Sequence, residues 1–146
     1  MQDKNVIEIF TDGACQGNPG PGGWGAVFLR NGKEETIAGR SDDTTNNRME
    51  MTAAIEALRT LPDATTVKLT TDSQYLRLGI TTWIHNWKRR NWMTASKKPV
   101  KNLDLWKQLD LLTQKHNVTW YWVKGHSDNK YNNMADLLAT QAIHGH

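Results

Sequence analysis

The sequence predicts an α/β protein with one mixed five-stranded sheet flanked by helices. Three β-rich segments joined by short turns come first in the chain, which is typical of an antiparallel meander. From residue 46 onward, helical patterns alternate with short strand patterns, and strand–helix–strand units pair in parallel. The chain has 146 residues, close to the usual size of one domain. We therefore expect residues 1–146 to form a single domain.

The predicted meander begins with residues 6–12, which are rich in β-branched and aromatic side chains. A glycine- and proline-rich turn at residues 17–23 leads into a second strand at residues 24–30. Asn31-Gly32 is a type I′ hairpin signal, which places the third strand at residues 35–39. The three strands are therefore expected to be antiparallel.

The first long helix is predicted over residues 46–61, which are strong helix formers. Apolar side chains recur from Met51 at i, i+3, i+4 and i+7, the spacing of one buried helix face. Thr44 or Thr45 is a suitable N-cap, and Pro62 follows the predicted end. This helix is expected to pack against the sheet.

The second half of the chain predicts two more strands and several more helices. The strands are expected at residues 66–71 and 118–123. Helices are expected at residues 73–80, with Ser73 as the cap, then around 83–87, and at 103–115 and 132–143. Residues 91–101 are expected to form a basic loop between helices.

Charge is distributed unevenly along the chain, although the net charge is only +3. Residues 73–103 contain no Asp or Glu but seven cations, which are Arg77, Lys88, Arg89, Arg90, Lys97, Lys98 and Lys101. Such segregation favours binding of a polyanion over a merely solvated basic face.

Several classes of protein are excluded by composition. No run approaches the roughly 18 apolar residues that span a bilayer, and the first residues lack the pattern of a signal peptide. Cys15 is the only cysteine, so no internal disulfide or thiolate metal cluster is expected. These observations favour a cytoplasmic protein without membrane partners.

Four acidic residues stand at the ends of predicted elements. Asp12 ends the first strand, Glu50 lies in the first turns of the long helix, and Asp72 ends the fourth strand. Asp136 lies in the last helix, one turn after Asn132. Taken singly, each acid could be a turn former, a cap, a helix-dipole partner or a solvated side chain. Because sites in α/β sheets lie at the carboxyl ends of strands, we expect these four side chains to converge.

Convergence of four carboxylates has a chemical consequence. Like charges at about 6 Å repel strongly, so such a cluster must either take up protons or bind cations. An all-oxygen ligand set suits Mg²⁺ or Mn²⁺ rather than zinc. Two such ions roughly 3.5–4 Å apart form a clamp for in-line displacement at a phosphodiester.

These residues lie in segments that resemble the bacterial ribonuclease HI family (type 1 ribonuclease H), in order and over nearly the whole chain. The segments are Thr11-Asp12-Gly13 with residues 17–23, residues 45–50 (Thr-Asn-Asn-Arg-Met-Glu), residues 71–75 (Thr-Asp-Ser-Gln-Tyr), residues 125–127 (Gly-His-Ser) and residues 132–136 (Asn-Asn-Met-Ala-Asp). The basic segment at about 83–101 is similar to the handle of that family.

The resemblance implies a ribonuclease H-like fold and an endonuclease that hydrolyses the RNA strand of RNA/DNA hybrids. It implies metal-dependent in-line attack of water that leaves 5′-phosphate and 3′-hydroxyl ends. The metal ligands of the family correspond to Asp12, Glu50, Asp72 and Asp136, and its mobile catalytic histidine corresponds to His126. A loop imidazole at that position is also suited to moving a proton.

Substrate contacts are expected beside the acids. Asn18, Asn46 and Gln74 carry amides, which can both donate to and accept from a 2′-hydroxyl, although Asn18 could equally serve a turn. The resemblance assigns Thr45 and Asn102 to a pocket for a DNA phosphate.

The handle is expected to hold the DNA strand. Its phosphate partners would be Lys88, Arg89, Arg90, Lys97, Lys98 and Lys101. Trp83 and Trp87 lie four residues apart on one helical face, where they either pack against sugars and bases or anchor the handle to the domain.

The chain departs from the family pattern at Asp43, where an arginine often precedes the phosphate-pocket threonine by two residues. An acid there repels phosphate, so the pocket is expected to be weaker or to be served by Arg40.

Two other functions remain open at this point. A transposase- or integrase-like DNA nuclease shares the fold and the acid chemistry, but usually carries extra DNA-recognition domains. A non-catalytic hybrid-binding module would not need all four acids. We expect a monomer that uses Mg²⁺, or Mn²⁺ in its place, with two ions bound in the presence of an RNA/DNA hybrid.

Overall fold

The strands of the sheet confirm the predicted mixed topology. The computed structural model describes residues 6–62, 64–124 and 129–144. Its strands are β1 (Val6–Cys15), β2 (Gly20–Arg30), β3 (Lys33–Thr44), β4 (Thr66–Thr71) and β5 (Asn117–Trp122). They lie in the order β3-β2-β1-β4-β5. The β1–β2 and β2–β3 pairs are antiparallel, whereas β4 is parallel to both β1 and β5.

The third strand is longer than predicted. It continues past residue 39 because Arg40 and Ser41 pair with Gly23 and Gly22 of β2. As an edge strand, β3 is exposed along most of its length. Exposed edge strands need no alternation of apolar and polar side chains, so the sequence pattern underestimates its length.

The helices are α1 (Asn46–Arg59), α2 (Gln74–Leu78), α3 (Ile84–Arg89), α4 (Leu103–Lys115) and α5 (Lys130–Ile143). The bounds of α4 match the prediction, and α5 begins two residues earlier than expected. Thr45, not Thr44, caps α1, since its Oγ1 accepts from the backbone N–H of Arg48 at 3.2 Å. Ser73 caps α2 in the same way through Leu76. A π-helical turn, Gly79–Trp83, joins α2 to α3.

The helices cover both faces of the sheet. α1 packs on β1 and β2 and is itself covered by α4, whereas α5 packs across β1, β2 and β3. The side chains of Ile9, Met51, Leu58, Leu69 and Trp106 are fully buried between these layers.

Two glycines permit the close approach of helices near the ends of β1 and β2. A Cβ on Gly13 would overlap the backbone of Met49 and Glu50, so only glycine lets α1 lie this close to β1. A Cβ on Gly25 would lie 2.8 Å from the carbonyl oxygen of Ala135 in α5. The two helices that carry Glu50 and Asp136 are therefore held directly against the sheet. None of the described helices has the length and apolar character needed to cross a membrane.

Candidate active site

The carboxylates of three predicted ligands converge at the end of the sheet. Asp12 lies near the carboxyl end of β1, Asp72 directly follows the parallel neighbour β4, and Glu50 is on the α1 turn that touches Gly13. One carboxylate oxygen from each lies within 4.8 Å of the others. Asp12 and Glu50 are only 4% and 6% exposed. Strand order and glycine packing thus bring together acids that are 60 residues apart in the chain.

The fourth acid, Asp136, approaches the cluster from the opposite face. Asn129 caps α5, since its Oδ1 accepts from the backbone N–H of Asn132 at 2.9 Å. Asp136 follows one turn later and lines a cavity of about 30 Å³ together with Asp12 and Asp72. Its carboxyl group is hydrogen-bonded to that of Asp12, although Asp136 is itself exposed.

The crowding of these acids raises their proton affinity. Burial raises the pKa of Asp12 to about 8, and the charge of Asp72 and the hydrogen bond to Asp136 act in the same direction. Hydrogen bonds from Glu50 and from the Gly13 N–H, at 2.8 Å, oppose this rise. Burial, followed by the charges of Asp12 and Asp72, holds the pKa of Glu50 well above its usual range. Without a cation, the cluster therefore retains protons at neutral pH.

The cluster fits a divalent cation. Glu50 Oε1 and Asp72 Oδ1 are buried and accept no hydrogen bond from the described residues. Orphaned carboxylate oxygens that face one another are the ligand set that hard cations such as Mg²⁺ take. A bound cation would both satisfy these oxygens and offset the mutual repulsion of the acids.

One tryptophan that sequence reasoning missed supports Asp72. The indole Nε1–H of Trp122 donates to the backbone oxygen of Asp72 at 3.1 Å. The guanidinium of Arg77 lies over that ring, 5.4 Å from its centre. The end of β4 is thereby fixed where its carboxylate meets the cluster. The only signal in the sequence was that Trp122 is aromatic and lies next to the end of the last predicted strand.

Two of the predicted 2′-hydroxyl partners contact each other. Asn18 Oδ1 accepts a hydrogen bond from the backbone N–H of Asn46 at 3.1 Å, and both side chains are exposed. Gln74 is exposed at the first position of α2, two residues after Asp72. All three amides are therefore accessible from solvent.

The two residues of the predicted phosphate pocket are joined by Arg48. The Thr45 hydroxyl accepts a hydrogen bond from the backbone N–H of Arg48, and Arg48 Nη1 donates to Asn102 Oδ1 at 3.2 Å. Arg48 also forms a bidentate ion pair with Asp104, at 3.0 and 2.7 Å, which lowers the pKa of that carboxyl. Sequence reasoning missed Arg48, although it lies within the segment 45–50. The signal was its position three residues after the helix cap.

Arg40 has other partners in this structure. Its Nε donates to the carbonyl oxygen of Ile143 at 2.9 Å, and its Nη1 pairs with Asp42. Whether the pocket is weaker or is served by Arg40 therefore stays a prediction. Asp43 is exposed, as a side chain facing substrate would be.

The handle consists of α3 and the loop that follows, closed by a bridge between Met93 and Pro99. Lys88 is paired with Asp110 of α4 at 3.1 Å, so one cation of the acid-free segment is partly neutralised by an acid from outside it. Arg89 donates to Asn86 at 2.5 Å. All six cations of the handle are exposed, but the side chains of Arg90, Lys97, Lys98 and Lys101 form no ion pair or hydrogen bond with another residue that the structure describes.

The tryptophans of the handle belong to an aromatic cluster. The ring centres of Trp83 and Trp87 are 5.9 Å apart, and those of Trp87 and Trp106 are 5.3 Å apart. Tyr75 contacts both Trp83 and Trp106. Trp83 and Trp87 are half-buried, so they anchor the handle and still present part of each ring to solvent. His126, the remaining predicted site residue, lies outside the described residues.

A mixed sheet in this order, with acids from two strands and two helices meeting at one end, defines the class of metal-dependent nucleases. Residues 4–144 match the RNase H family model. The chain therefore belongs to the ribonuclease H family, the endonucleases that act on RNA/DNA hybrids.

Individual relatives agree with this assignment. The chain is 60% identical to a ribonuclease H of Ehrlichia canis (strain Jake) over 144 residues, which cover 98% of this chain and 99% of the relative. A solved structure of LC9-RNase H1, a type 1 RNase H with the type 2 active-site motif, superposes with a TM-score of 0.86 at 33% identity. The match covers 99% of this chain and 75% of that one. LC11-RNase H1, solved with an RNA/DNA hybrid, is 23% identical to this chain and superposes with a TM-score of 0.70. The match covers 94% of this chain and 96% of that one, and it shows that the two share a fold.

Proposed function

We propose that the chain cleaves the RNA strand of hybrids with Mg²⁺ held by Asp12, Glu50, Asp72 and Asp136. The observation that carries this assignment is that carboxylate oxygens of Asp12, Glu50 and Asp72 lie within 4.8 Å of one another. The side chains of Asp12 and Glu50 are buried. One buried oxygen of Glu50 has no hydrogen-bond partner among the described residues. Mn²⁺ has the same preference for oxygen ligands and would substitute. Two ions are expected when a hybrid is bound, because the scissile phosphate supplies further oxygens.

In the proposed reaction, a water oxygen attacks phosphorus in line with the departing 3′-oxygen. The new phosphorus–oxygen bond forms as the bond to the 3′-oxygen breaks, which leaves a 5′-phosphate and a 3′-hydroxyl. Bound Mg²⁺ supplies charge stabilisation and lowers the pKa of the attacking water. Asp12 and Glu50 must release their protons before they bind a cation. His126 would move a proton during turnover.

Discrimination between RNA and DNA is assigned to the amides beside the acids. Asn18, Asn46 and Gln74 can each donate to and accept from a 2′-hydroxyl. The hydrogen bond from Asn46 N–H to Asn18 Oδ1 supports this, because it holds the loop after β1 at a fixed distance from the start of α1. An RNA strand passing over the acids would meet these groups first.

The DNA strand is assigned to the phosphate pocket and the handle. Thr45 and Asn102 would take one phosphate, with Arg48 between them as the nearest cation. Handle cations would contact further phosphates without reading sequence, and exposed parts of Trp83 and Trp87 would pack against sugars. Lys88 and Arg89 already have partners in the free protein and would exchange them on binding.

Residues 1–146 are proposed to act as one monomeric domain in the cytoplasm. The five strands belong to one sheet, and the handle is an extension of its helical layer through Trp87 and Trp106. Each of the four acids comes from the same chain, so no second copy is needed to complete the cluster.

Substitution of single acids tests the assignment. Asp12→Asn and Asp72→Asn should each abolish Mg²⁺-dependent cleavage of a labelled RNA/DNA hybrid, because each removes a charged ligand while keeping the side-chain shape. Binding of the hybrid should stay within about threefold of the wild type, since the phosphate contacts lie elsewhere. Exposed Asp42→Asn is the matched control and should keep full activity.

Retained cleavage in either acid variant would contradict the metal role. The same assay should be run with duplex RNA and duplex DNA. Cleavage of duplex DNA would instead support an integrase-like nuclease, and binding without cleavage would support a non-catalytic module. The family assignment favours neither alternative.

A further inference from the structure

A fifth polar side chain faces the acidic cluster. Asn132 is 2% exposed, and it lines the same cavity of about 30 Å³ as Asp12, Asp72 and Asp136. Its Oδ1 is buried and accepts no hydrogen bond from the residues that the structure describes. The sequence placed Asn132 one turn before Asp136 but indicated no role for it.

The position of Asn132 is held by the start of α5. Asn129 accepts from the backbone N–H of Asn132, which fixes the first turn of the helix. Ala135 and Ala139 are fully buried, and Gly25 lets that part of the helix lie directly against β2. The side chain therefore cannot turn to solvent without moving the helix.

An unsatisfied amide oxygen in such a place is unfavourable unless something binds it. The neighbouring acids cannot satisfy it when ionised, because carboxylates have no proton to donate. A hydrated divalent cation can, either through the cation itself or through one of its waters. A neutral oxygen also adds a ligand without adding negative charge to a cluster whose acids repel one another when ionised.

We propose that Asn132 contributes its amide oxygen to cation binding at the cluster, as a fifth oxygen beside the four acids. The proposal rests on the proposed function, in that it takes the acids to be the metal site. It makes Asn132 a metal-site residue rather than a residue that only supports the fold.

The test measures Mg²⁺ binding without substrate. Asn132→Leu keeps the branched shape of the side chain and removes both the amide oxygen and its NH₂ group. Its affinity for Mg²⁺, measured by calorimetry, should fall about tenfold or more, as is typical when a group that supports a metal is removed. Its thermal midpoint without metal should be unchanged or higher, because an orphaned buried oxygen has been removed. Adding Mg²⁺ should raise the thermal midpoint of this variant by less than it raises that of the wild type.

Thr11→Val is the matched control. Thr11 is fully buried, and its Oγ1 also has no partner among the described residues, but it does not line the cavity. This variant should likewise keep or raise the midpoint without metal, while its affinity for Mg²⁺ should stay at the wild-type value.

A purely structural Asn132 would give the opposite pattern. The midpoint of Asn132→Leu without metal would fall, and its affinity for Mg²⁺ would not change. If the leucine variant does not fold, Asn132→Asp replaces it. That variant keeps an oxygen at the same position and adds a negative charge, so it should bind Mg²⁺ more tightly than the wild type, and unchanged affinity would overturn the proposal. Asp72→Asn run in parallel separates the two claims: if it too binds Mg²⁺ normally, the proposed metal site itself is wrong.

Discussion

The carboxyl group of Asp12 shows how single residues set the properties of the site. Its pKa rises to about 8 because it is buried beside other acids. Glu50 shifts in the same direction for the same reasons. Release of these protons and binding of a cation are therefore linked, and the affinity for Mg²⁺ should rise with pH up to about 8.

The same shift predicts how stability without metal depends on pH. An acid whose pKa is higher in the folded state binds more protons when folded, so it stabilises the fold at low pH and this stability is lost as pH rises. For Asp12 the loss should extend from about pH 4 to about pH 8. Urea unfolding in EDTA at pH 5 to 8 measures it.

Asp12→Asn should lose less stability than the wild type as pH rises. At pH 8 its free energy of unfolding should exceed that of the wild type by on the order of 1–3 kcal/mol. The difference should narrow toward pH 5 and should also narrow when Mg²⁺ is added to the wild type. Parallel curves for the two proteins would contradict the assigned pKa.

At the scale of elements, two connections hold the helical layer around the site. Arg48 joins the first turn of α1 to Asn102 and Asp104 at the start of α4. The π-helical turn Gly79–Trp83 joins α2 to α3 and packs against the ring of Trp106. The handle is thereby attached to the helix that carries Glu50.

The π-helical turn predicts a sharp intolerance at Gly79. A Cβ there would overlap the indole of Trp106, which is fully buried and cannot move aside. Gly79→Ala should lower the free energy of unfolding by about 2–3 kcal/mol through overpacking. Gly32→Asn is the contrasting variant, since its surroundings are open and asparagine tolerates a positive φ. It should lower the free energy of unfolding by no more than about 1 kcal/mol, the cost of a left-handed backbone, and a loss equal to that of Gly79→Ala would contradict the steric explanation.

At the scale of the whole molecule, charge is divided between two regions. The acids at the end of the sheet attract cations, whereas the exposed cations of the handle attract anions. The net charge of +3 combines a charge of +7 in residues 73–103 with a charge of −4 in the rest of the chain, so it describes neither part. Hybrid affinity should therefore depend on salt through the handle.

Removal of handle cations should change this salt dependence. Lys98→Ala with Lys101→Ala should lower the slope of log affinity against log salt by about 2, because each lysine neutralises one phosphate. Lys33→Ala with Lys68→Ala removes the same charge from exposed positions away from the handle. If both pairs change the slope equally, binding depends on net charge and not on the handle.

Asp43 offers a second test of hybrid binding. Asp43→Arg should tighten binding at moderate salt and raise the slope by about 1, because an added cation near Thr45 would neutralise one further phosphate. Asp42→Arg makes the same change in net charge at the neighbouring exposed residue, and its effect should be smaller. Unchanged affinity and slope for Asp43→Arg would contradict the pocket.

The order of elements and the identity of the four acids could be predicted from the sequence, because both depend on local patterns. The hairpin at Asn31-Gly32, the apolar face from Met51 and the cap at Ser73 are short-range signals, and the structure confirms the elements they predict. The acids could be predicted because Asp12 and Asp72 stand beside a glycine or a helix cap at the end of a predicted strand, and because Glu50 and Asp136 lie on predicted helices.

Only the tertiary structure decided what surrounds those acids. Several features of the site depend on the packing of elements that are distant in the chain. They are the hydrogen bonds of Trp122 to Asp72 and of Arg48 to Asn102, the ion pair of Lys88 with Asp110, and the buried oxygen of Asn132. The same holds for the pKa of Asp12, which follows from burial and not from residue type. Sequence patterns report how a segment folds locally, whereas desolvation and partner choice arise only when packed elements exclude water and fix the distances between charges.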